Sequence, residues 1–151
     1  MKMTVSRALK ERARLAGKLG EIFKLIRNEN SVLAGATRTC DIREKFVEYK
    51  SIVKKMTAIK AAVTKANADI ATELAELAET KSIITQLKSI NVIEGKQRES
   101  GYNGSPEYYE MEAAISKAEL YRELELLQDR ANILQDKIDE FNAKTSVEVE
   151  L

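Results

Sequence analysis

The sequence has no histidine and no tryptophan, one cysteine, one proline and six glycines in 151 residues. Without histidine, neither Ser-His-Asp nor Cys-His catalysis is possible within one chain, and zinc sites that use imidazole are excluded. The lone thiol, Cys40, can build neither a four-thiolate zinc site nor an intramolecular disulfide, which fits a reducing compartment. Aromatic residues, at 5%, are too few for an aromatic-rich β-sandwich core. So few prolines and glycines leave little turn chemistry for a fold of many short strands. No apolar run approaches the ~18 residues of a membrane span. The segment Met1 to Arg7 is basic and lacks the apolar core of a secretory signal. These absences lead to the expectation of a cytoplasmic protein with no membrane segment.

What the chain does have is charge and helix formers, with 32% charged residues and 44% hydrophobic ones. Four stretches carry apolar residues in steps of three and four, the period of a helix with one buried side. The first helix is expected over about 4–28, with Leu9, Ala13, Ala16, Leu19, Phe23 and Ile26 as its stripe, widened by Leu15 and Ile22. Gly17 and Gly20 lie inside it, each costing about 1 kcal/mol relative to alanine. Close helix contact, tolerated weakness or a kink are the readings open for them. Periodicity fails over 29–40, which reads as a loop. Asp41, followed by Glu44, then has the form of a helix N-cap with a capping box.

The second helix is expected over 41–67, on Ile42, Phe46, Tyr49, Val53, Met56, Ile59, Val63 and Ala66. A short connection near Asn67 leads to a third helix over 72–91, the alternative being one unbroken helix to Ile90. The stretch 93–105 reads as a loop holding three of the six glycines. Ser105-Pro106-Glu107 has the form of N-cap, first-turn proline and first-turn acid, which starts a fourth helix over 106–142. Its strictest feature is the seam Leu120, Leu124, Leu127, Ala131, Leu134, Ile138 and Phe141, alternating steps of four and three as in a coiled coil. The tail from Ser146 alternates like a strand but is short enough to read as a frayed end.

The overall charge, 25 basic against 24 acidic residues, conceals a gradient. Residues 1–67 carry a net +10 and residues 68–151 a net −9. The structural reading is complementarity between helices, within a chain or between copies. The functional reading is a nucleic-acid face on the first two helices. Against that stands the scatter of their basic residues, with Lys54-Lys55 the only doublet, and the near absence of interleaved aromatics.

The remaining candidates for chemistry each have a plainer reading. Glu73, Glu76 and Glu79 form a carboxylate ridge, but a di-metal bundle needs Glu-x-x-His, so a solvated helix start fits better. Glu110 and Glu112, beside Tyr108 and Tyr109, have the types for paired-carboxylate catalysis only if a pocket shifts one of them. Cys40 has Arg38 and a helix start nearby, as a reactive thiolate requires, yet an incidental half-buried cysteine fits as well. The loop Gly95 to Gly104 lacks the Gly-Lys-Ser/Thr ending of a phosphate cradle and reads as a hairpin or contact loop. Asn67 and Asn132 are either polar specificity residues at helix contacts or merely exposed.

The segments Ala8-Leu9-Lys10-Glu11-Arg12-Ala13-Arg14-Leu15 and Leu25-Ile26-Arg27-Asn28-Glu29-Asn30-Ser31-Val32 resemble the start of a small bacterial family often labelled septicolysin. Val63-Thr64-Lys65-Ala66-Asn67 matches part of an Ile-Asn-x-Thr-Asn-like element of that family, without the threonine before the asparagine. Leu134-Gln135-Asp136-Lys137-Ile138-Asp139-Glu140-Phe141-Asn142 is similar to its Gln-x-x-Asn-rich close, without the tryptophan that follows it. The resemblance extends over most of the chain and implies no catalytic residue. The label implies a cytolysin, for which this sequence has no membrane-active segment. A two-helix prefoldin-like chaperone is a second comparison, but no central β-hairpin is legible.

The sequence therefore predicts one all-α domain over 1–151, an elongated antiparallel four-helix bundle or coiled coil completed by oligomerisation. The expected function is a non-enzymatic structural or protein-interaction protein of the cytoplasm with no cofactor or metal, a homo-oligomer whose interaction seam is Leu120 to Phe141. A nucleic-acid-associated protein using the basic first two helices is the alternative.

Overall fold

A computed structural model of the protein describes residues 1–101 and 104–149. The expected loop residues Tyr102 and Asn103 and the tail residues Glu150 and Leu151 lie outside the described residues. Along the chain run β1 (Lys2–Thr4), α1 (Val5–Glu29), α2 (Ile42–Ala66), a 3-10 turn (Asn67–Ile70), α3 (Ala71–Lys88), β2 (Gly95–Ser100), β3 (Pro106–Met111), α4 (Lys117–Lys144) and β4 (Ser146–Glu148). The strands form two antiparallel pairs, β1 with β4 and β2 with β3. Among the described residues no helix is long and apolar enough to cross a membrane.

The fold is thus mixed, helices with two small sheets, and the expectation of an all-α four-helix bundle or coiled coil is overturned. Two strand pairings explain the difference. Pro106 opens a strand instead of a helix: Tyr108 and Tyr109 favour extended backbone, and Gly95–Ser100 supplies a partner, with Arg98 opposite Tyr108 and Gln97 opposite Tyr109. The fourth helix starts eleven residues later, at Lys117 rather than Pro106. Ser116 is its cap: the Glu119 amide donates to Ser116 Oγ at 3.2 Å, while the Ser116 amide and hydroxyl both donate to Glu119 Oε2 at 3.1 Å. That reciprocal pair is a capping box, written in the sequence as Ser-x-x-Glu. The second pairing lies at the chain ends, where the expected frayed tail is instead strand β4, paired with β1.

The chain divides into two compact units, Met1–Ala71 with Ile138–Leu151, and Thr72–Lys137. In the first unit, α1 is capped by Thr4, whose Oγ1 accepts from the Arg7 amide at 3.3 Å, and α2 by Asp41, whose Oδ1 accepts from the amides of Arg43 and Glu44. Glu11 of α1 lies beside Lys55 of α2, and Lys18, seven residues further along α1, pairs with Glu48, seven residues further back along α2, so the two helices run antiparallel. Between them lie Ala8, Leu15 and Ile22 from α1 and Ile52, Ile59 and Val63 from α2. The spacing of seven along α1 follows Leu15 and Ile22, while Leu9, Ala13, Ala16 and Phe23 of the expected stripe are exposed.

The terminal strands close this core. Met3 and Val5 on one side and Val147 and Val149 on the other are buried, with Lys2, Ser146 and Glu148 pointing out, as the two-residue period of a strand requires. The Met1 amine and carbonyl exchange hydrogen bonds with Val149, at 2.7 and 2.9 Å. Fully burying a valine contributes about 1.5–3 kcal/mol.

In the second unit, Leu77, Thr80 and Ile84 of α3 are buried, as are Leu120, Ala131 and Leu134 of α4. The buried Thr80 hydroxyl donates to the Glu76 carbonyl at 2.7 Å, so no polar group is stranded there. Arg130 binds Glu76 at 2.5 Å and Lys81 donates to Gln135 at 3.2 Å, linking the two helices at their margins. The β2–β3 hairpin follows α3, turning through Gly101 and Gly104, and every residue of β3 except Met111 is exposed.

Candidate interaction surface

The outer side of α2 carries the most distinctive surface chemistry of the first unit. Arg43, Val47, Lys50, Lys54, Thr57, Ala61 and Lys65 follow one another in steps of three and four, and all are exposed. Such steps place them along one line of a helix. That lane holds four basic residues and no acidic one. Arg43, Lys50 and Lys54 make no ion pair among the described residues, so their charge is not cancelled locally. The two acidic residues inside α2, Glu44 and Glu48, sit off the lane. Glu48 turns towards α1, where Lys18 at 2.6 Å, with Lys45 at 2.9 Å, holds its carboxyl down at about 2.

Apolar surface runs alongside the charge. Phe46 is 50% exposed, Val47 62% and Val53 40%, so large apolar side chains stand in solvent on either side of the basic line. Lys50 lies 4.9 Å from the centre of the Phe46 ring. Phe46 stacks near Tyr49 at 6.5 Å, and Tyr49 meets Phe23 of α1 at 6.1 Å. At the start of the lane the surface dips into a depression of about 1130 Å³ lined by Ile26, Arg38, Cys40, Ile42, Phe46 and Lys50 among others.

The loop bounding this depression is held in place. Arg38 donates to the carbonyls of Glu29 and Asn30, where the dipole of α1 is negative. Thr39 donates its amide and hydroxyl to the Glu29 carboxylate at 2.7 and 2.5 Å, and these bonds hold that carboxyl below its ordinary range. Arg38 is therefore committed to the backbone. Cys40 is half-buried in the depression wall.

The other residues singled out in the sequence fall elsewhere. In the seam, Leu120, Ala131, Leu134 and Ile138 are buried and Leu124, Leu127 and Phe141 half-buried by the chain itself. Of the carboxylate ridge, Glu76 is occupied by Arg130, Glu73 is half-buried and Glu79 exposed. Among the described residues no group of three or more Cys, Asp or Glu is placed to hold a metal ion. Glu110 stands exposed on β3 opposite Lys96, and Glu112 is exposed beyond the strand. The stretch from Gly95 holds β2 and the hairpin turn. Asn132 is exposed and accepts from Gln128 at 3.2 Å, whereas Asn67 Oδ1 is buried with no hydrogen-bond partner.

In the sequence Phe46 and Val53 read as part of the apolar stripe of the second helix, core or interface alike, and Val47 stands outside that stripe. The missed signal is the acid-free spacing of 43, 47, 50, 54, 57, 61 and 65 itself.

No protein-family model matches the chain, and no curated protein matches it. A solved structure is similar to it, described as a functionally unknown conserved protein from Corynebacterium diphtheriae. The likeness has a TM-score of 0.70 at 14% identity and covers 98% of this chain and 100% of the other. It is a likeness of fold.

Proposed function

We propose that this chain is a non-enzymatic, cytoplasmic protein-interaction module that receives an acidic amphipathic helix along α2. The exposed lane from Arg43 to Lys65, with uncancelled positive charge and exposed Phe46, Val47 and Val53 beside it, is the observation that carries this reading. A helix surface meant only for solvent mixes both signs and keeps large apolar side chains singly scattered. Apolar anchors flanked by charge of one sign are the form of helix-to-helix recognition, in which apolar contact supplies affinity and charge selects the partner. The candidates for catalysis have other work: Arg38 braces the loop beside Cys40, and Glu76 binds Arg130.

The test uses the full chain and a fluorescent acidic helical peptide with apolar residues at i, i+3 and i+7, beside a scrambled peptide of equal charge. The ordered peptide is expected to bind more tightly and to lose binding to Val47→Asp. Equal binding of both peptides would reduce the lane to an ion exchanger and end this reading.

A second reading, a nucleic-acid-associated protein, is favoured by the charge of the first unit, which carries seventeen basic and eleven acidic residues. Binding to duplex DNA or RNA that weakens steeply with added salt would support it, and no binding at low salt would remove it.

A further inference from the structure

We infer that the partner of the α2 lane is the outer face of α4 in a second copy of this chain, an inference that rests on the interaction reading above. The side of α4 away from its buried seam carries Glu125, Asp129 and Asp136, all exposed. Beside them are Leu126, 64% exposed, and Ile133, 50% exposed. The second unit, which contains this face, carries thirteen acidic and eight basic residues, the opposite sign to the first.

The spacings of the two faces are mirror images. Arg43, Lys50 and Lys54 are separated by seven and then four residues, and Asp136, Asp129 and Glu125 by seven and then four in the reverse direction. At ~1.5 Å per residue, antiparallel helices of constant pitch keep such a register over their whole length. One register sets Arg43 opposite Asp136, Lys50 opposite Asp129 and Lys54 opposite Glu125, and it brings Val47 beside Ile133. Residues seven and eleven apart stay within a narrow arc, so each charge triplet lies along one line of its helix. Opposite charges in line favour this register over others and disfavour pairing of like faces. A two-fold axis would form the contact twice, and a head-to-tail arrangement would form it once per junction. Both raise the mass above that of one chain.

The experiment is sedimentation of the full chain over a concentration series, with two charge-reversed forms. One carries Lys50→Glu and Lys54→Glu, the other Glu125→Lys and Asp129→Lys. All four positions are exposed, so each form is expected to keep its helices, which circular dichroism checks. The wild type is expected to associate at low salt and to dissociate as salt is added. Each reversed form alone is expected to remain a single chain, because like charges then face each other. An equimolar mixture of the two restores both complementary contacts and is expected to associate again. A wild type that stays a single chain at every concentration overturns the inference, as does a mixture that fails to associate where the wild type does. If the wild type stays single while α2 still binds the acidic peptide, the partner is wrong and the interaction reading stands.

Discussion

Gly17→Ala and Gly20→Ala should both stabilise the protein, against the usual result of changing a glycine inside a packed region. Both positions lie in the interior of α1, with helical neighbours on either side and no positive φ. A Cβ built on either meets nothing within 4 Å. No steric term therefore opposes the gain in helix propensity, about 1 kcal/mol for each substitution. Neither added Cβ has a neighbour to share, so the double variant should gain up to about 2 kcal/mol. A change of that size moves the melting midpoint by about 4–8 °C if the whole chain unfolds together, and by about 8–16 °C if the first unit unfolds on its own. Urea and thermal unfolding followed by circular dichroism measure both quantities. Gly104→Ala is the contrast: its φ of +74° is one that a side chain resists, and it should destabilise by about 1 kcal/mol although its surroundings are just as open. If neither α1 substitution raised the midpoint, the outer side of α1 would have to be in contact with something, and the exposure argued for that helix would fail.

Further outcomes follow from the packing and the caps. Leu134, with no exposed surface, should lose about 2–5 kcal/mol on conversion to alanine, read from the urea midpoint; a loss under about 1 kcal/mol would show that α4 is not packed as described. Ser116→Ala removes the cap of α4 and should cost about 1 kcal/mol, whereas Ser105→Ala, before Pro106, should change little because a strand begins there. Glu48 titrates lower in the folded chain than its ordinary 4.5, so the stability it contributes is present above that pH and is lost as pH falls towards about 2. The wild type should therefore lose more stability over that interval than Glu48→Gln, and equal slopes would refute the ion-pair account.

How much of this was legible in the sequence varied with the source of the signal. The start of α2 was readable because Asp41 caps by a local mechanism, its carboxylate meeting amides two and three residues on. Burial along α4 follows the leucine spacing, since a long amphipathic helix carries its period in its own residues. A hairpin was one of the readings open for Gly95 to Gly104, but strand β3 was hidden because Ser-Pro-Glu is equally good chemistry for opening a helix, and the deciding partner, Gly95–Ser100, lies outside any local window. Strands β1 and β4 were hidden more completely, each being three residues long with a partner at the other end of the chain. On α1 the phase was misjudged because alanines fit any side of a helix; Leu15 and Ile22 mark the buried line better than Ala13 and Ala16. The surface on α2 was only half legible for a related reason. A large apolar residue at helical spacing reads as core or interface alike, and only the charges around Phe46 and Val53 separate the two.

The pairing of β1 with β4 also bears on the order in which the molecule assembles. Lys2 meets Glu148, so the first strand of the chain must wait for the last before the core around Val5 is sealed. During synthesis α1 and α2 emerge early, with every residue they need from each other, but without Val147 and Val149. The intervening chain sets little thermodynamic barrier, since loop-closure entropy grows only by about 0.6 kcal/mol for each doubling of length. If Thr72–Lys137 folds first, it removes nearly half of that loop and contributes about the same small amount. The delay is one of sequence order, and a half-made chain would expose Met3 and Val5 until Val147 and Val149 arrive. A circular permutant that joins the present ends through a short linker and opens the chain at Gly35 would place the two strands side by side from the outset, and it should refold faster than the natural order.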